Sequence, residues 1–161
     1  MNTTPHQATS PIPFSHQPIT PDILQRAMGA LLGSAVGDAL GAPFEFERGG
    51  TYAKRFPSPE IGGSGEMIGG GSFNWSPAEF TDDTQMALAL ALSIIENDGF
   101  DPDHVWTYWR SWAKTANDIG NTTRHALSFD DWRDVSHPNP DSTAANGALM
   151  RAFPLALLDL P

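Results

Sequence analysis

The spacing of apolar positions along the chain predicts helices rather than strands. Apolar residues recur three and four positions apart, and no segment alternates convincingly between apolar and polar residues. We therefore expect an all-α fold, with a bend at Pro154 in its last helix. The predicted helices span residues 21–40, 82–97, 103–116, 122–128 and 147–158.

Two of these helices have patterns that predict burial. In helix 21–40, glycines recur every four residues, at Gly29, Gly33 and Gly37. Each interior glycine costs about 1 kcal/mol relative to alanine, so we expect another backbone to pack closely along this smooth face. Helix 82–97 is apolar nearly all round, which is typical of a buried core helix.

Two other segments lack helical periodicity. Residues 1–21 contain five of the fourteen prolines, and we expect a disordered leader followed by one domain at 22–161. Residues 41–80 hold most of the glycines and predict a long loop. Loops of that length in compact domains are usually functional or mobile.

Composition excludes several classes of partner. The 161 residues contain nine Lys and Arg against nineteen Asp and Glu, a net charge of -10. Such a chain lacks the positive surface that nucleic acids and anionic membranes attract. The uncharged run at 27–37 is too short to cross a bilayer. The chain has no cysteine and no apolar run at its N-terminus, so we expect a cytoplasmic protein.

The strongest chemical signal is FTDDTQ at residues 80–85. One interpretation is capping, with Thr81 as N-cap and Asp82 and Asp83 beside the positive end of the helix dipole. The other is a divalent-cation site, because Mg²⁺ and Mn²⁺ bind carboxylate and hydroxyl oxygens. Between Arg55 and Arg110 there is no Lys or Arg to pair with these carboxylates, which favours the cation site.

Three further segments carry candidate chemistry. Asp38 lies in a helix expected to be buried, where a carboxylate is usually hydrogen-bonded, and Glu45 follows two helix breakers that can turn it into a pocket. Residues 118–124 form a polar cluster before a helix, and residues 145–151 form a small-residue loop whose N–H groups suit a phosphate. Capping and loop roles explain the last two segments equally well.

Taken in order, these four segments resemble the ADP-ribosylglycohydrolase family over residues 26–158. The matching motifs are GALLGSAVGDALG at 29–41, FTDDT at 80–84, DIGNTT at 118–123 and NGALMR at 146–151. The resemblance implies an all-α fold with two Mg²⁺ or Mn²⁺ ions. It also implies hydrolysis of the N- or O-glycosidic bond between ADP-ribose and a modified protein side chain or a related small molecule.

The resemblance also implies roles for individual residues. The implied metal ligands are Thr81, Asp82 and Asp83. The implied catalytic residues are Glu45 and Asp118. The implied substrate-binding residues are Asn121, Thr122, Asn146 and Gly147.

One family motif has no match in this chain. The family pattern continues for about twice this length and completes the metal site with an Asp-x-Asp-Thr/Ser motif, which is absent here. We therefore expect an N-terminal portion of the domain, with apolar helix surfaces left uncovered and possible completion by a second chain. Two alternatives remain open: a catalytically incomplete module that binds ADP-ribose or metal, and a crystallin-like relative without activity.

Overall fold

Helices dominate the computed structural model, which describes residues 10–13, 18–58, 65–136 and 145–158. The helices are α1 Pro21–Gly41, α2 Thr51–Arg55, α3 Asp82–Glu96, α4 Pro102–Trp112, α5 Asn121–Leu127 and α6 Gly147–Met150. Short 3-10 helices occupy Ala42–Phe44, Trp132–Asp134 and Phe153–Leu157. The all-α expectation is confirmed.

The three longest helices begin at side chains that cap their first turns. The Thr20 hydroxyl accepts the Ile23 N–H before α1, and the Thr81 hydroxyl accepts the Asp83 N–H before α3. The Asp101 carboxylate accepts two backbone N–H groups at the start of α4. The capping role expected of Thr81 is therefore confirmed, since each such side chain satisfies a donor that the helix leaves unpaired.

The hydrophobic core lies mainly between α3 and α4. Leu90 and Ile94 of α3 pack against Val105 of α4, and all three are at most 4% exposed. Ser93, which is fully buried, lies 2.9 Å from Nδ1 of His104 across the same interface. One face of α3 thus fixes its position against α4.

Apolar side chains of α1 and of one face of α3 are exposed, as expected for an N-terminal portion of the domain, and this corrects the prediction that α1 is buried. Helix α1 buries only Ala39, and no atom lies within 4 Å of a Cβ built on any of its glycines. The predicted close packing along the glycines is absent because no element in the described part of the chain covers them. The exposed large apolar side chains of the two helices are Leu24, Met28, Leu32, Val36, Leu88, Leu92 and Ile95.

One span within the described residues, Pro21–Phe44, is long and apolar enough to cross a membrane by length and composition. This span is longer than the uncharged run at 27–37. Length and composition alone do not distinguish a membrane span from a helix of a water-soluble domain. Asp38, near its end, hydrogen-bonds to the start of α3, so this end of the span is attached to the rest of the domain.

Two segments predicted to be irregular contain some order. Residues Ile12–Pro13 (β1) pair antiparallel with Gly99–Phe100 (β2), so the prediction of a disordered leader is wrong for these two residues. Residues 1–9 and 14–17 of the predicted leader lie outside the described residues. Within the predicted loop at 41–80, α2 forms and Gly70 bridges to Trp75, whereas residues 59–64 are not described.

The exposure difference along α3 predicts unequal effects of two identical truncations. Leu90→Ala removes a side chain that is 1% exposed and should lower the free energy of unfolding of this chain by about 2–5 kcal/mol. Leu92 lies on the exposed face of the same helix and is itself 50% exposed. Leu92→Ala should therefore change the free energy of unfolding by about 0.5 kcal/mol or less. Urea denaturation measures both, and equal losses would contradict the core position of Leu90.

Candidate functional site

A cleft of about 1020 Å³ lies where the end of α1 meets the starts of α3, α5 and α6. Its wall includes Asp38 of α1 and the Thr81–Asp82–Asp83 segment at the start of α3. The four sequence motifs, widely separated along the chain, therefore converge on one cavity. Every residue proposed from the sequence as a site residue lines it: Glu45, Thr81, Asp82, Asp83, Asp118, Asn121, Thr122, Asn146 and Gly147.

The Asp38 carboxylate joins α1 to the start of α3. Its two oxygens accept the backbone N–H and hydroxyl of Thr81 at 3.0 and 2.8 Å. Its Oδ2 also accepts the N–H and the hydroxyl of Thr84 at 3.1 and 2.6 Å. Four donors around one half-buried carboxylate confirm the structural role expected of Asp38, because hydrogen bonds compensate the cost of removing this charge from water.

The first turn of α3 holds two carboxylates under mutual repulsion. The pKa of Asp82 is raised from 3.8 to about 7, mainly by burial and then by the negative charges of Asp118 and Asp83. Burial, followed by repulsion from Asp38, also raises the pKa of Asp83 despite a hydrogen bond from Thr81. A bound cation would relieve this repulsion, since an opposite charge favours the ionised form of a carboxyl group.

Asp118 lies in the loop before α5 and contacts the first residue of α3. Its Oδ2 accepts the Asp82 N–H at 2.8 Å, which draws the loop before α5 against the start of α3. Its Oδ1 is buried and has no hydrogen-bond partner among the residues that the structure describes. Burial raises the pKa of Asp118, and an unpaired buried oxygen of this kind indicates a missing donor or cation.

Glu45 follows the 3-10 helix Ala42–Phe44, which turns the chain toward the cleft after α1 ends. The residue is exposed at the rim. Desolvation of its carboxyl group and then repulsion from Asp83 and Asp118 raise its pKa. The prediction that a loop turns Glu45 into a pocket is thereby confirmed.

The geometry required for a complete metal centre is absent from the part of the chain that the structure describes. No group of three or more His, Cys, Asp or Glu side chains there is close enough to hold an ion. The Thr81 hydroxyl donates to Asp38 and accepts the Asp83 N–H at 3.3 Å. The metal-ligand assignments of Thr81, Asp82 and Asp83 therefore stay predictions.

Two loops supply polar groups to the opposite side of the cleft. Asn121 and Thr122 begin α5 and are exposed, with Gly120 rather than either of them at the N-cap. Asn146 precedes α6, and Gly147 begins it. All four are accessible to a bound molecule, as substrate-binding groups must be.

Arg151 is a cleft residue to which the sequence analysis assigned no role. Its guanidinium stacks 4.5 Å from the centre of the Trp109 ring and donates to the Thr123 hydroxyl at 3.3 Å. Burial lowers its pKa, which the charge of Asp82 partly offsets. Arg151 is the one basic side chain among the described residues that line the cleft, and its position at the end of the 146–151 motif was the available signal.

Two aromatic residues of the cleft were also missed. Phe46, next to Glu45, and Phe73, in the glycine-rich loop, both line the cleft and both are exposed. Nothing in their sequence positions predicts that they meet, because they lie 27 positions apart in a segment without periodicity.

The Asp38 contacts predict a large loss of stability when its carboxylate is removed. Asp38→Ala leaves four donors without their acceptor and should lower the free energy of unfolding by about 3 kcal/mol. The control is Asp22→Ala in the same helix, which removes only an exposed ion pair with Arg26. Its effect should be about 0.5 kcal/mol in the same urea titration, and similar losses in both variants would contradict the anchoring role.

The raised pKa of Asp82 predicts a pH dependence of stability in the metal-free chain. Between about pH 4 and 7 the folded state binds more protons than the unfolded state, so the free energy of unfolding should fall as the pH rises. Asp82→Asn should make this dependence shallower. Denaturation in a chelating buffer at several pH values measures it, and an unchanged slope in the variant would overturn the electrostatic interpretation.

Comparison with known proteins gives a consistent set of relatives. The chain is 37% identical over 142 residues to the ADP-ribosyl-[dinitrogen reductase] glycohydrolase of Rhodospirillum rubrum, covering 87% of this chain and 47% of that protein. It is 36% identical over 154 residues to the ADP-ribosylarginine hydrolase Tri1 of Pseudomonas putida (strain GB-1), covering 86% and 38%. The chain thus spans less than half the length of these relatives.

A solved structure and a family model agree with these relatives. The structure, described as an ADP-ribosylglycohydrolase-related protein complex, superposes with a TM-score of 0.57 at 37% identity over 81% of this chain and 41% of that chain. The family model described as ADP-ribosylglycohydrolase matches residues 19–161. The motifs, the helical fold and these matches together establish that the chain belongs to the ADP-ribosylglycohydrolase family.

Proposed function

We propose that the protein containing this chain is a metal-dependent hydrolase that removes ADP-ribose from modified protein side chains. The observation that carries the proposal is the convergence of Glu45, Asp82, Asp83 and Asp118 on one cleft, where burial and mutual repulsion raise every one of their pKa values. Groups with perturbed pKa values that share a cavity are typical of catalytic sites. The relatives named for ADP-ribose removal support the choice of substrate.

The donor set in the cleft fits one side of a divalent-cation site. Carboxylate and hydroxyl oxygens are the ligands that Mg²⁺ and Mn²⁺ prefer. Within the described part of the chain, the buried Oδ1 of Asp118 has no hydrogen-bond partner, and Arg151 alone opposes the carboxylates of the cleft. We assign Thr81, Asp82 and Asp83 to hold the cations, which would polarise the substrate and acidify a bound water.

The reaction is a hydrolysis at the anomeric carbon of the ribose that carries the acceptor. A bond forms between the water oxygen and this carbon, and the bond from the carbon to the acceptor atom breaks. The electron pair of the broken bond stays on the acceptor atom, which takes a proton that the water has lost. The products are ADP-ribose and the unmodified side chain.

Glu45 is placed to move this proton. It lies at the rim of the cleft. Its raised pKa makes its carboxylate a better proton acceptor than that of an ordinary glutamate. We propose that its carboxylate takes the proton from water and returns it to the acceptor atom. Asp118, deeper in the cleft, stabilises the positive charge that develops on the ribose in an oxocarbenium-like transition state.

The polar loops complete the proposed binding of the substrate. Asn121 and Thr122 of one loop and Asn146 and Gly147 of the other border the same cavity as the carboxylates. We propose that these groups bind the ribose and diphosphate of ADP-ribose. Arg151, the one basic side chain that lines the described cleft, adds the positive charge that a diphosphate requires.

A double substitution tests the proposed metal ligands. Asp82→Asn with Asp83→Asn should lower hydrolysis of an ADP-ribosylated protein by about 100-fold or more in the complete protein. The matched control is Asp130→Asn with Asp131→Asn, an adjacent aspartate pair outside the cleft, which should keep its activity. Full activity in the cleft variant would overturn the metal assignment.

Calorimetry separates hydrolysis from binding alone. Titration of the 161-residue chain with ADP-ribose, with and without Mg²⁺, should give binding that the cleft double substitution abolishes. A release assay on an ADP-ribosylated protein runs beside it. Binding of ADP-ribose by the complete protein, without any release of ADP-ribose in that assay, would favour an ADP-ribose-binding module over a hydrolase.

A further inference from the structure

Phe46 and Phe73 form an exposed aromatic pair at the rim of the acidic cleft. Their ring centres lie 6.4 Å apart at an interplanar angle of 55°. Phe46 is 76% exposed and Phe73 is 39% exposed, and both border the cleft. Paired rings that stay open to solvent are available to a bound molecule, since a ring face attracts cations and other planar groups.

The backbone that carries the two rings is conformationally constrained, and at Phe46 it is strained. Phe46 has a φ of 68°, a left-handed conformation that is unfavourable for a residue with a side chain. The loop that carries Phe73 is fixed by Gly71, where an added Cβ would lie 2.8 Å from the Pro43 Cα. Trp75 packs behind Phe73 at 5.8 Å between ring centres. Strained residues of this kind cluster at ligand-binding sites.

The position of the pair relative to Glu45 selects the part of the substrate that it meets. Phe46 follows Glu45 directly in the chain, and the side chains of Glu45, Phe46 and Phe73 line the same cleft. Under the proposed function, Glu45 acts at the bond between ribose and acceptor. The adenine of ADP-ribose is separated from that bond by a diphosphate and a second ribose, which places it elsewhere in the cleft.

The charge of the cleft selects the chemistry of the acceptor. Five carboxylates line the described cleft, against the single guanidinium of Arg151, which we assign to the diphosphate. A cationic group at the rim is attracted by Glu45 and Asp118, which are not assigned to the metals, and by the faces of the rings. A neutral hydroxyl acceptor would gain nothing from either.

We propose that Phe46 and Phe73 bind the acceptor side chain and favour a planar cationic acceptor over a neutral hydroxyl. This inference rests on the proposed function, because it places the acceptor at Glu45. The pair then determines specificity and takes no part in the chemistry itself. Its loss should weaken binding of a guanidinium acceptor and leave binding of ADP-ribose unchanged.

Kinetics of the complete protein test this with Phe46→Leu and Phe73→Leu. Each variant should lower kcat/KM for ADP-ribosyl-arginine by about 3- to 30-fold, the range of a cation–π contact. Hydrolysis of an ADP-ribosyl-serine peptide, where measurable, and the inhibition constant of free ADP-ribose should stay unchanged. Phe46→Trp should retain the parent value because it keeps the aromatic face.

The control is Phe129→Leu, the same substitution outside the cleft, which should have no effect on any of these constants. Unchanged kcat/KM in both cleft variants would overturn the proposal. A parallel rise in the inhibition constant of ADP-ribose would also overturn it, by showing that the rings bind the adenosine end. Absence of hydrolysis in the unsubstituted protein would instead refute the proposed function and, with it, this inference.

Discussion

The Asp38 carboxylate links the two helices on which the cleft depends. Its four hydrogen bonds reach the N-cap and first turn of α3 from the last turns of α1. Because Thr81 and Thr84 are held this way, Asp82 and Asp83 between them lie at the floor of the cleft. The bond from the Asp82 N–H to Asp118 then draws in the loop before α5. One half-buried carboxylate thus connects three of the four motifs.

This arrangement concentrates negative charge without a matching number of cations. Burial and repulsion raise the pKa values of four carboxyl groups, and the guanidinium of Arg151 is stacked on Trp109. Such a site is poorly suited to stabilising the fold, because removing like charges from water costs free energy. It is well suited to attracting cationic ligands. The same negative charge therefore underlies both the proposed metal site and the proposed binding of a cationic acceptor.

Local sequence patterns predicted the positions of the helices well, but they predicted less well which helix faces are buried. The start of α3 follows directly from Thr81 and the acidic first turn, since capping is a short-range interaction. The predicted central position of α1 was wrong because burial depends on what covers a helix, and in the described residues nothing packs on its glycines. The relatives are more than twice as long as the matched region, so periodicity alone could not reveal how much of the apolar surface this chain itself covers.

The sequence by itself determined the helices, the acidic motif and the family, because each depends on residues close together in the chain or on motifs in a fixed order. Only the tertiary structure decided which groups share the cleft. Asp118 meets Asp82 across 36 residues, and Phe46 meets Phe73 through a glycine-rich loop without periodicity. Arg151 enters the site by stacking on Trp109. These contacts depend on how distant elements pack, and that packing leaves no local pattern to recognise.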